Sequence, residues 1–174
     1  MNGDAVGSRS NGSLVVAAVV AVLAGYFAYQ GWFNPRRAIQ RQLGELAATL
    51  SVPADRNGPA DRLARTGALR KYFAPDVQVA IGHPLPPLTS RDALIAAAAA
   101  WNPPAGGSNV NFVDLQVVLD TAQTARVYTS VEIERVDPAT GQPAIDSRDI
   151  RIEMVKDGEA WVVKTVEPAE APRP

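Results

Sequence analysis

The chain has no cysteine, one histidine and two methionines, and aromatic residues make up only 6% of its 174 positions. Without cysteine there is no disulfide framework, no thiol nucleophile and no Cys-based metal site. No spacing of histidine and carboxylates matches a metal site, so none is expected. There is no Gly-rich phosphate loop, no G-x-S-x-G elbow and no other cofactor motif. A basic stripe is missing too. Lys+Arg number 17 and Asp+Glu 18, the two signs are interspersed, and the formal net charge is −1. Nucleic acid is therefore not an expected partner. Arginines outnumber lysines fourteen to three, a bias that reflects a GC-rich genome rather than phosphate recognition.

What the chain does have is one long apolar run. Leu14 to Phe33 reads LVVAAVVAVLAGYFAYQGWF, twenty positions without a charge. At roughly 1.5 Å per helical residue it spans about 30 Å, the thickness of a bilayer's hydrocarbon core. Its aromatics crowd the C-terminal third, and Tyr29 and Trp32 suit an interfacial belt, with Arg36 and Arg37 following in water. The run reads as a single transmembrane helix after a flexible tail, residues 1–13. A cleaved signal peptide ending at Ala24 competes with this reading. It would leave nine further apolar residues at a mature N-terminus. The expected location is the bacterial inner membrane. Arg36, Arg37 and Arg41 outweigh Arg9 and place the soluble domain on the cytoplasmic side, with the periplasm as the alternative.

Beyond the run, Asn34 caps a helix that starts at Pro35, with Ile39, Leu43, Leu46 and Leu50 as its apolar stripe. A second helix is expected from Asp61 to Phe73, carrying Leu63, Leu69, Tyr72 and Phe73 on its apolar side. A short strand over Val77–Ile81 and a third helix over Asp92–Trp101 follow. From Asn109 the period changes to two. Val113, Leu115, Val117 and Leu119 alternate with mostly polar residues, as do Val127, Thr129, Val131 and Ile133, then Ile150, Ile152 and Met154. Trp161 to Val166 closes the set after an Asp157-Gly158 turn. Four strands joined by short turns form an antiparallel meander with one apolar side for the helices to cover. The fold class is α+β. After the transmembrane helix comes a cone-shaped domain, residues 34–167, of three helices packed on a curved antiparallel sheet. Residues 168–174 are a Pro-rich tail without an apolar side, read as disordered.

This order of elements resembles the nuclear transport factor 2-like (cystatin-like) superfamily, closest to its SnoaL-like branch. Three stretches carry the resemblance. Tyr72-Phe73-Ala74-Pro75-Asp76-Val77 is similar to the family's F-x-D-V approach to the first strand. Thr89-Ser90-Arg91-Asp92-Ala93-Leu94 is similar to its G-R-D-A-I helix start, with Ser in place of Gly. Trp161-Val162-Val163 is similar to its final W-x-I/V strand. The resemblance implies a half-barrel with a pocket at one open end. It does not imply one function, because members work as isomerases, dehydratases, cyclases, scaffolds and binding modules.

Candidate site residues are few. His83 sits in a Gly-His-Pro break and is either a mouth histidine or an exposed turn residue. Tyr128 shares one strand side with Arg126, Ser130, Glu132 and Glu134, which reads as a polar pocket wall or as a solvated side with cross-strand pairs. Tyr72, Phe73, Trp101 and Tyr128 are the pocket-lining candidates. Asp146, Arg148, Asp149, Arg151 and Glu153 read as a solvated charge run. Two functions fit. The preferred one is a membrane-anchored, non-catalytic binding or assembly module, an accessory subunit whose partners are the bilayer and another membrane protein or a second copy. The alternative is an isomerase, cyclase or dehydratase acting on a lipophilic small molecule, with Tyr128 and His83 as acid–base candidates.

Overall fold

The computed structural model describes residues 19–22, 34–56, 58–82, 86–101, 106–137 and 140–169. The chain divides into two compact units, Met1–Arg37 and Ala38–Pro174. In the first, Val19–Val22 are helical and exposed. The rest of the expected membrane helix Leu14–Phe33, including Tyr29 and Trp32, lies outside the described residues, as does the tail 1–13. Among the described residues no helix is long and apolar enough to cross a membrane.

Helix α1 runs from Pro35 to Leu50. Asn34 caps it, its Oδ1 accepting from the Arg36 amide at 3.0 Å. Arg36 and Arg37 are exposed in its first turn. Ile39, Leu43 and Leu46 are buried as the i, i+4, i+7 spacing requires, and Ala47 joins them.

Helix α2 runs from Pro59 to Leu69, two residues ahead of the expected start. Asp61 is not its cap. Gly58 takes that place, and the Asp61 carboxylate accepts from the Gly58 amide at 3.3 Å. The helix also stops short of Phe73. Arg70–Tyr72 form a 3₁₀ turn, and Phe73 opens strand β1, Phe73–Val79, four residues before the expected Val77. The reason is burial. Tyr72 and Phe73 are both in the core, and a continuing helix would turn consecutive side chains about 100° apart. Tightening and then extending the chain lets both point inward. Leu63, expected on the apolar side, is instead 76% exposed.

Helix α3 runs from Arg91 to Ala100, with Ser90 Oγ accepting from the Ala93 amide at 3.2 Å. No residue of it is fully buried, and Leu94, Ile95 and Ala98 pack against the core at half depth. Strands β2 (Ser108–Leu119), β3 (Thr124–Val136), β4 (Pro143–Asp157) and β5 (Ala160–Pro168) form the meander. The sheet order is β1-β5-β4-β3-β2, with β1 parallel to β5 and the other pairs antiparallel. Strand β4 begins well before the expected Ile150. Pro168 ends β5, and the Ala169 amide bonds Asp149 O at 2.9 Å, so the first two residues of the expected tail lie against the sheet; the rest of it lies outside the described residues.

Strand β2 departs from a simple alternation. Val110 and Phe112 lie on the helix-facing side, opposite Ile133 and Val131, while Val113 pairs with Ser130 on the outer side. A bulge between Val113 and Gln116 then restores Val117 to the core, and Asp114 adopts φ 55° within it. The extra residue absorbs a phase error that would otherwise turn Val117 and Leu119 outward.

One glycine closes the fold locally. Gly107 has φ +79°, and a Cβ there would lie 2.4 Å from Val52 O and 2.8 Å from Ala54 N. Both contacts are backbone, so neither can swing away. Gly107→Ala is expected to lower stability by about 2 kcal/mol or more, read from urea unfolding. Gly44→Ala, where a Cβ meets nothing within 4 Å, is expected to raise it by about 0.5–1 kcal/mol.

Candidate functional site

Strand register sorts the polar residues into two sets. On the outer side, Gln116, Tyr128, Arg151 and Glu167 form one row across four strands. Val118, Arg126, Glu153 and Thr165 form the next row. The charges pair with one another. Arg151 Nη2 is 2.5 Å from Glu167 Oε2, and Arg126 contacts both Asp120 oxygens, with its closest nitrogen at 2.6 Å. Ser130 donates to Asp149 Oδ1. Lys164 pairs with Asp76. This is the solvated side with cross-strand pairs, and exposed pairs of this kind contribute little stability each. Tyr128 belongs to it. It is half-buried and sits opposite Arg151, on the side of the sheet away from the helices.

The other pocket-lining candidates do not gather either. Tyr72 is 2% exposed, its hydroxyl shares a hydrogen bond with Thr49 Oγ1 at 3.1 Å, and the Lys71 ammonium lies 4.6 Å from its ring centre. Phe73 is a core residue in β1. Trp101 is 44% exposed at the C-cap of α3. His83 lies outside the described residues. Two shallow concavities of about 280 and 310 Å³ flank Ser51, and none of these four aromatics lines either one.

The second set is smaller and more informative. Asp146 and Arg148 share the parity of Ile150, Ile152 and Met154, and their cross-strand partners are Ile133 and Val131. They therefore stand on the helix-facing side, where the sheet runs past its buried cluster. Arg148 Nη1 donates to Ile81 O at 3.4 Å, and its Nη2 is 3.8 Å from Asp146 Oδ2. Their side chains are 46% and 42% exposed. One guanidinium and one carboxylate thus border apolar Val131, Ile133 and Ile81 at the end of the sheet. The charge run that the sequence offered as one solvated patch is split. Asp149, Arg151 and Glu153 go outward, and Asp146 and Arg148 inward. The signal was present in the sequence, since both residues are an even number of positions from Ile150. Among the described residues, no group of three metal-ligating side chains is assembled.

No family model matches the chain, and no curated protein does. Solved structures do match. An NTF2-like protein with a cystatin-like fold from Novosphingobium aromaticivorans aligns over 95% of this chain and 94% of its own, at 14% identity and TM-score 0.63. A hexachlorocyclohexane dehydrochlorinase (LinA) type 2 aligns over 77% and 83%, at 12% identity and TM-score 0.60. The CaMKII hub of S. rosetta aligns over 78% and 95%, at 15% identity and TM-score 0.58. The chain has the cystatin-like, nuclear transport factor 2-like α+β fold. Identities this low carry the fold and nothing finer.

The outer-side pairs make a pH prediction. The Asp120 carboxyl lies below its ordinary value of 3.8, chiefly through its hydrogen bond from Arg126. A lowered folded-state value favours folding above the unfolded value, and that contribution is lost as pH falls through the lowered one. Asp76, lowered chiefly by the hydrogen bond from Lys164, behaves alike. Urea midpoints are expected to decline below about pH 4. By NMR, the Asp120 carboxyl should titrate below its ordinary value and return to it in Arg126→Ala.

Proposed function

We propose that the domain binds a lipophilic small molecule at the end of the sheet marked by Asp146 and Arg148, and acts on it as a SnoaL-like isomerase, cyclase or dehydratase. The single observation behind this reading is the inward placement of that charged pair beside Val131, Ile133 and Ile81. Such a site offers apolar contact for a hydrocarbon skeleton, a guanidinium for an oxyanion and a carboxylate for a proton. For an isomerase, Asp146 would take a proton from the carbon next to a carbonyl. Arg148 would stabilise the enolate oxygen, and the same proton would return at the γ carbon. The fold is shared with a dehydrochlorinase by name, which is compatible with proton abstraction chemistry. In this reading Tyr128 takes no part, because it stands on the other side of the sheet.

The test uses the purified protein with a panel of β,γ-unsaturated ketones, following conjugation by ultraviolet absorbance. Turnover is expected, and Asp146→Asn or Arg148→Met should reduce it by about 10²–10⁴-fold while Tyr128→Phe leaves it intact. Unchanged melting temperatures would exclude unfolding as the cause. No turnover with any ketone, together with no binding of them, would sink the reading.

A second reading keeps the domain as a non-catalytic assembly module anchored by Leu14–Phe33. One observation favours it. Polar groups on the helix-facing side are already engaged inside the protein, Tyr72 with Thr49 and Thr129 with Val113 O at 2.6 Å. It is compatible with a fold shared with a hub domain by name. Here the protein should remain in carbonate-washed membranes and co-purify with a constant partner after detergent extraction. Release by carbonate, or a protein extracted alone and monomeric, would count against it.

A further inference from the structure

We propose that the free edge of β2 is a self-association site, at which a second copy of this chain pairs antiparallel about Phe112. Strand β2 is the outermost strand of the sheet. Its edge is already in use at one end. Val52 and Ser108 exchange both main-chain hydrogen bonds, at 2.7 and 2.8 Å, and the Val110 amide donates to Ser51 Oγ at 2.9 Å. Ser108 and Val110 therefore turn their main-chain groups away from β3. Antiparallel alternation turns those of Phe112 the same way. Among the described residues no main-chain hydrogen bond reaches Phe112 from that side. Two positions further on, the bulge around Asp114 bends the strand. Between the strap and the bulge, one complete donor–acceptor rung is thus left open at Phe112.

A single rung of this kind is self-complementary. Two copies related by a two-fold axis at Phe112 would exchange N–H···O bonds reciprocally, as any hydrogen-bonded antiparallel pair does. The surroundings suit a like partner electrostatically. Long edges on proteins that stay single carry lysines, prolines or several charges. The twelve residues of β2 include neither lysine nor proline and only one charge, Asp114. Pairing centred on Phe112 sets Asp114 across from Val110 of the partner subunit rather than across from its own equivalent. The adjoining wall of α1 is small and uncharged. Gly44, Ala47, Ala48 and Ser51 line the concavity of about 280 Å³ beside Phe112 and Leu115. Along that wall a second copy would therefore meet no charge and no large helix side chain. The site uses neither Asp146 nor Arg148 and stands independently of the activity proposed above.

The experiment is sedimentation equilibrium of the full-length protein in detergent, with hydrogen exchange at the Phe112 amide over the same concentration series. Wild type should show a monomer–dimer equilibrium, and Phe112 exchange should slow as concentration rises. Gly44→Glu and Ala48→Arg, both at exposed positions of α1, should weaken association at least about tenfold without lowering the melting temperature. A wild-type protein that stays monomeric at the highest concentration overturns the proposal. So does a dimer that persists in both variants, or one that leaves Phe112 exchange unchanged, since the contact would then lie elsewhere.

Discussion

Burial of one side of the five-stranded sheet is the constraint on which the rest depends. Ile39, Leu43 and Leu46 of α1, Leu69 of α2 and Tyr72 just after it, and Ile150, Ile152, Met154 and Val163 of the sheet belong to one buried cluster. Fully burying a side chain of this kind contributes about 1.5–3 kcal/mol. Local preferences are worth less than that and give way. The second helix ends early, in a 3₁₀ turn, so that Tyr72 and Phe73 can both join the cluster. Strand β2 accepts a left-handed Asp114, at a cost of order 1 kcal/mol, so that both Phe112 and Val117 can face inward. Gly107 serves the same end, because only a residue without a Cβ lets the chain after α1 lie against the start of β2.

The same constraint assigns the chemistry. In a strand each residue faces one side, so fixing Ile150 inward fixes Asp146 and Arg148 inward and Asp149 and Arg151 outward. The outward set meets water and neighbouring strands, and its charges neutralise one another in pairs. The inward set extends beyond the buried cluster, where a guanidinium and a carboxylate stand next to apolar side chains. That contrast between paired charge on a wet surface and paired charge on an apolar one is what separates an ordinary sheet face from a place where a ligand could be held.

Much of the architecture was legible because it is written in local periods. The stripe Ile39, Leu43, Leu46 predicts α1 and its buried side, and Asn34 caps it where it was expected to. The meander, with its alternating residues in β3 and β4, follows from the period of two. Leu63 fails because helical spacing alone cannot say which apolar residue finds a partner, and it is left exposed. The parallel pairing of β1 with β5 is invisible to any local rule, since it joins Phe73 to Val163 across most of the domain. The sides taken by the polar residues need a further step. Parity counted back from Ile150 puts Asp146 and Arg148 inward, and register with Arg151 puts Tyr128 outward.

Edge exposure shows how far one-sided burial leaves a sheet unfinished. A five-stranded open sheet has two edges, and this chain bridges each of them once. At β1, the Val79 main chain exchanges both hydrogen bonds with Leu88, in the segment before α3. At β2, Val52 covers Ser108, and Ser51 Oγ accepts from the Val110 amide at 2.9 Å and donates to the Val110 carbonyl at 3.5 Å. Because Val52 pairs antiparallel with Ser108, the residues that would meet Val110 and Phe112 come before Val52, in α1, where the main chain is already committed to helical hydrogen bonds. The rung at Phe112 is therefore left open beside a helix wall of glycine and alanine that leaves room for another backbone.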